Sequence, residues 1–177
     1  MKPTEKVFVN QEMIRLPEDY PSFVEAYVKK FPNRKNPLPP IKGGWGYTKE
    51  DAVVIRYDDR KPDDWGTSID CIEVEKYFIT FRLEEETLYA HKTIFPGPEW
   101  EKVNHQLVFE DDGRMFDYET VEASVFTLED WEYLKQDWKS HDGYKDDEAG
   151  RVRHHQMREE RKIRFTEVFW FDITDCM

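Results

Sequence analysis

The chain has 177 residues and a mass of 21.4 kDa, enough for one domain with a sizeable core and too little for two comfortable ones. Its 38 acidic and 26 basic side chains give a net charge of −12 and a mean hydropathy of −0.86, yet 15% of it is aromatic, a load that excludes extensive disorder. No apolar run approaches the roughly 18 residues of a membrane helix, and Met1 to Lys6 does not lead into a signal-peptide core, so the expected setting is cytoplasmic, away from membranes.

In chain order, Lys6-Val7-Phe8-Val9-Asn10 has strand content. Residues 21–31 predict a helix, with Pro21 in its first turn, Phe23, Val24, Tyr27, Val28 and Phe31 on one face, and Pro32 ending it. Residues 32–47 hold four prolines and three glycines and read as a loop; Ala52 to Tyr57 is a β-branched strand, and Asp58 to Gly66 a polar loop. The stretch 69–89 admits strand or helix. The spacing of Cys71, Val74, Phe78, Phe81 and Leu88 favours a long helix with Glu84-Glu85-Glu86 in a polar turn.

Asp112-Gly113 between 106–109 and 115–121 predicts a β-hairpin, and Thr127 caps a helix over 128–140 with Glu129 and Asp130 in its first turn. Residues 142–162 are polar, with 151–162 either a solvated helix or partly mobile. Alternation over 163–173 closes the chain with a strand. These elements predict a single α+β domain over 1–177: a mixed or mainly antiparallel sheet with about three helices packed on one face.

The two cysteines, Cys71 and Cys176, form no CxxC pair or zinc spacing and read as free thiols of a reducing compartment. Charge is unevenly placed. Residues 110–148 carry fourteen carboxylates against four bases, whereas 26–49 and 151–164 are basic islands with six bases each.

No P-loop, dinucleotide fingerprint, nucleophile elbow or HExxH occurs, so no cofactor is expected and no catalytic residue is assigned. Gly43-Gly44-Trp45-Gly46-Tyr47 reads either as a turn threading Trp45 into the core edge or, with Trp65, as an aromatic ligand loop. Arg34 to Pro40 matches a short polyproline-ligand pattern better explained as a stiff connector. Asp58, Asp59, Asp63 and Asp64 form a carboxylate-rich loop around Trp65.

Three functions compete. The leading one is a non-catalytic interaction module, an inhibitor or immunity-type binder of another protein with a basic surface, using Trp131, Tyr133, Asp137, Trp138, Asp142, Asp146 and Asp147: aromatics as anchors and carboxylates for steering. The second is a metal-assisted hydrolase or nuclease with His141, Asp142, His155 and Glu159 as ligands. The third is a nucleic-acid or phospholigand binder through the two basic islands, which the acidic total disfavours. A homo-oligomer is left open.

Overall fold

The computed structural model describes residues 15–35, 38–56, 71–90, 93–95 and 97–176. Helix α1 (Phe23–Lys30) starts at a full capping box: the Ser22 hydroxyl accepts from the Glu25 amide, and the Glu25 carboxylate accepts from the Ser22 amide at 2.9 Å. Strands β1 (Ile41–Gly43) and β2 (Val53–Ile55) follow, then the long helix α2 (Cys71–Ala90). A hairpin of β3 (Glu99–Phe109) and β4 (Met115–Val125) turns at Gly113, whose φ of 87° suits the missing Cβ. Helices α3 (Leu128–Ser140) and α4 (Glu148–Arg161) lead into strand β5 (Ile163–Asp172).

The five strands form one mixed sheet in the order β1-β2-β5-β4-β3, with β2 and β5 parallel and the other neighbours antiparallel. The fold is thus α+β, with four helices. Residues paired across strands point to the same side. Asp117, Glu119, Val121 and Ala123 of β4 therefore share a face with Phe171, Phe169, Glu167 and Phe165 of β5, and with Leu107, His105, Lys102 and Trp100 of β3. Helices α1 and α2 cover its β5 and β4 part and reach β3 at Trp100: the Phe78 ring lies 5.4 Å from Phe23 and 5.9 Å from Phe171, and Trp100 Nε1 donates to Thr80 Oγ1 at 3.0 Å. Helices α3 and α4 pack on each other and join the sheet at the start of β3, through Trp131 stacked on Phe95, Arg158 over the Phe126 ring and Lys162 paired with Glu99.

Several expectations need correction. Cys71 and Cys176 are not free thiols: they form a disulfide, because the first turn of α2 lies beside the short 3-10 turn that follows β5. The expected reducing compartment rested on free thiols, and that ground is gone; no helix among the described residues is long and apolar enough to cross a membrane. Residues 32–47 are not all loop, since β1 lies within them. Glu85 and Glu86 are buried rather than on a polar turn, while Leu88 is exposed. Within 142–162 a 3-10 turn is followed by α4, capped by Asp147 accepting from the Gly150 amide at 2.8 Å. The strand expected at 6–10 and the loop at 58–66 lie outside the described residues.

Candidate metal centre

Under α2, at the β3 side of the sheet, three carboxylates converge. Glu75 sits one turn into α2 beside Val74, and Asp117 and Glu119 occupy alternate inward positions of β4. Each can offer an oxygen within 4.8 Å of the others. All three are buried, and Glu75 Oε2, Asp117 Oδ1 and Glu119 Oε2 find no hydrogen-bond partner among the described residues. An orphaned buried carboxylate oxygen is costly, and three in one place are unusual in a native fold.

Strand β3 supplies the balancing groups. Lys102 pairs with Glu119, and His105 Nε2 lies 2.8 Å from Asp117 Oδ2. A bulge between Lys102 and Asn104 inserts Val103, so Lys102 and His105 face the same side although they are three positions apart. His105 is 47% exposed and Lys102 30%, which makes this pair the solvent side of the cluster.

Burial pushes the Glu75 carboxyl up to about 8, with the nearby Glu119 and Asp117 charges adding to it. Burial also raises Asp117 and Glu119, against the lowering pull of His105 and Lys102. Without a further cation, Glu75 keeps its proton near neutrality. Three hard oxygen donors with orphaned lone pairs, within 4.8 Å of one another, fit an oxygen-loving ion such as Mg2+, Mn2+ or Ca2+ better than a thiophilic metal.

A second buried ionic network has its interactions largely spent on structure. Arg82, with none of its side chain exposed, donates to the carbonyls of Trp45 and Val168 at 2.8 and 2.7 Å, pairs with Glu86 and Glu167 at 3.3 Å each, and stacks on Phe169 and Tyr47. Tyr47 donates to Glu86 at 2.5 Å and accepts from the Leu16 amide. The network ties loop 44–47 and residue 16 to α2 and β5.

The candidates from sequence fare differently. Trp45 is buried against Phe78 and Phe81 and donates to the Pro21 carbonyl, and Tyr47 is held by Glu86, so neither ring is offered as a ligand platform; Trp65 and the carboxylates at 58–64 lie outside the described residues. His141, Asp142, His155 and Glu159 are not gathered. His141 stacks on Tyr144, Asp142 pairs with Lys145, His155 lies near Trp138, and Glu159 pairs with Lys162 and Arg164.

Of the interaction set, Asp137 accepts from Tyr144 and bonds His154, each at 2.7 Å; Trp131 is stacked on Phe95; and Asp147 caps α4. Tyr133, Trp138, Asp142 and Asp146 remain exposed. In the second basic island Arg151, Arg153, Arg158, Arg161, Lys162 and Arg164 each have a carboxylate partner.

The sequence reading missed Glu75, Asp117 and Glu119. Their signal was the continuation of an inward series: Val125, Ala123 and Val121 run on to Glu119 and Asp117 at period two. No protein-family model matches the chain, and neither a curated protein nor a solved structure matches it.

Proposed function

We propose that this protein binds a divalent cation through Glu75, Asp117 and Glu119 and uses it in metal-assisted hydrolysis of an ester or phosphoester. The observation that carries this reading is the convergence of three buried carboxylates, each with an oxygen lacking a partner among the described residues. A cation there would polarise water and the substrate oxygen. Water would deliver its hydroxyl to the acyl or phosphoryl centre and its proton to His105, which returns it to the leaving oxygen, while Lys102 offsets the developing negative charge. The enzyme reading kept from the sequence thus moves from residues 141–159 to α2, β3 and β4.

Calorimetry with Mg2+, Mn2+, Ca2+ and Zn2+ tests the site, followed by turnover of bis(p-nitrophenyl) phosphate. The expected result is one site per chain preferring the oxygen-loving ions, with binding and turnover lost in Asp117→Asn. Heats no larger than dilution for all four ions overturn the reading.

A second reading, the interaction module, is favoured by the exposed Leu128, Tyr133 and Trp138 among the carboxylates of α3 and the following turn. One stoichiometric basic partner, captured at low salt, released at high salt and lost on Tyr133→Ala with Trp138→Ala, supports it. Capture indifferent to those substitutions counts against it.

A further inference from the structure

The Cys71–Cys176 bond joins the two structural units that build the carboxylate cluster. Cys71 is the first residue of α2, and Glu75 follows four residues later, one helical turn along the same side. Cys176 ends the 3-10 turn after β5, and β5 is the strand to which β4 is laced: Asp117 pairs with Phe171 and Glu119 with Phe169. The turn itself is fastened to the start of β4, because the Met115 amide donates to Thr174 Oγ1 and the Ile173 amide to the Met115 carbonyl. The bond therefore spans from the element carrying Glu75 to the elements carrying Asp117 and Glu119.

Ile72 is 53% exposed, and among the described residues Val74 is the buried apolar side chain between Cys71 and Glu75. Seating Glu75 against Asp117 and Glu119 leaves buried carboxylate oxygens without hydrogen-bond partners among the described residues, a cost that favours opening, and the covalent bond opposes it. Both sulfur-bearing residues are only partly buried, at the edge of the core.

We propose that the Cys71–Cys176 disulfide is a redox control on cation binding: oxidised, it holds Glu75 against Asp117 and Glu119; reduced, it releases the first turns of α2 and the site loses affinity. This inference rests on the cation reading above. The switching step is a two-electron exchange with a dithiol reductant. One of its thiolates attacks a sulfur of the Cys71–Cys176 bond, the resulting mixed disulfide is resolved by the second thiol, and the products are two cysteine thiols and the oxidised, cyclic disulfide of the reductant. Coupling is reciprocal, so a bound cation must make the bond harder to reduce by the factor by which oxidation tightens the cation.

The test is calorimetric titration of Mg2+ and Ca2+ into three samples of the full chain: oxidised wild type, wild type reduced with dithiothreitol, and Cys71→Ser/Cys176→Ser, which removes any contribution from the reductant. Circular dichroism reports whether each remains folded. The expected result is folded protein in all three with affinity about fivefold or more weaker in the last two, the lower end of ordinary coupling between sites. Equal affinity in the folded oxidised and reduced forms overturns the switch and leaves the cation site standing. A reduced chain that is unfolded also overturns it, since the bond is then a general staple. Absence of binding by the oxidised protein removes both.

Discussion

At the scale of single residues, Glu75 separates a functional cluster from a structural one. Burial and two other carboxylates push its pKa up to about 8, and where the buried Glu86 has the Arg82 guanidinium beside it, Glu75 has two further carboxylates with unpartnered oxygens. Glu75→Gln keeps the shape, removes the ionisation and adds an N–H2 that can donate to the orphaned oxygens of Asp117 and Glu119. The variant should therefore be more stable than wild type at pH 8, by about 1–3 kcal/mol in urea unfolding, while cation binding falls at least tenfold. A variant both less stable and unchanged in cation affinity contradicts this account. The side chain was partly legible from sequence, since it stands four residues after Cys71 and three before Phe78 on one helical side. What a linear reading lacked was its company: an odd spacing such as Lys102 to His105 places side chains on opposite faces of a regular strand, and only the bulge at Val103 brings them to one.

At the scale of elements, the periods visible in sequence were those the structure uses wherever one face is buried and the other is not. Helix α3 begins at its Thr127 cap, the hairpin turns at Asp112-Gly113, and β5 alternates along its length. The first half of β3 was not legible, because among the described residues no strand lies on its outer edge and residues 101–107 are exposed on both faces, leaving no alternation to detect. Helix α2 was legible as a helix but not as a carrier of buried charge, since Arg82, Glu85 and Glu86 break the usual rule for solvated residues.

That network yields a second prediction. Arg82→Ala leaves Glu86 and Glu167 buried without their cation and frees the carbonyls of Trp45 and Val168, for a loss of about 3–5 kcal/mol. Glu86→Gln should cost much less, about 1 kcal/mol, because burial already raises the pKa of both Glu86 and Glu167 beside one guanidinium and favours a retained proton. Chemical denaturation of the two variants checks the ordering, and equal losses would assign the stability to Glu86 charge instead.

At the scale of the whole molecule, the long-range facts were the ones hidden from sequence: the 105-residue span closed by a disulfide, and the convergence of α2, β3 and β4 on one cluster. They set an unusual pH dependence. Glu75, Asp117 and Glu119 all have carboxyls raised by burial, as do Glu86 and Glu167. In the unfolded chain these groups lose their protons near pH 4–4.5; in the fold Glu75 keeps its proton up to about 8. Between those limits the native state binds more protons than the unfolded one, so stability is greatest at the acid end and declines as pH rises toward 8, by at most about 1.4 kcal/mol per pH unit for each proton retained. Asp137, held below the ordinary range by its bonds to His154 and Tyr144, acts the other way, but its stabilisation is lost only at more acid pH. Urea unfolding in EDTA at pH 5.5 and 8.0 should therefore show the lower midpoint at pH 8.0. Mg2+ at 100 times its dissociation constant should restore about 2.7 kcal/mol there and less at pH 5.5, where protons compete for the same oxygens, and Glu75→Gln should flatten both responses. A profile that rises with pH in EDTA, or an Mg2+ effect that Glu75→Gln leaves intact, places the titrating group elsewhere than the carboxylates under α2.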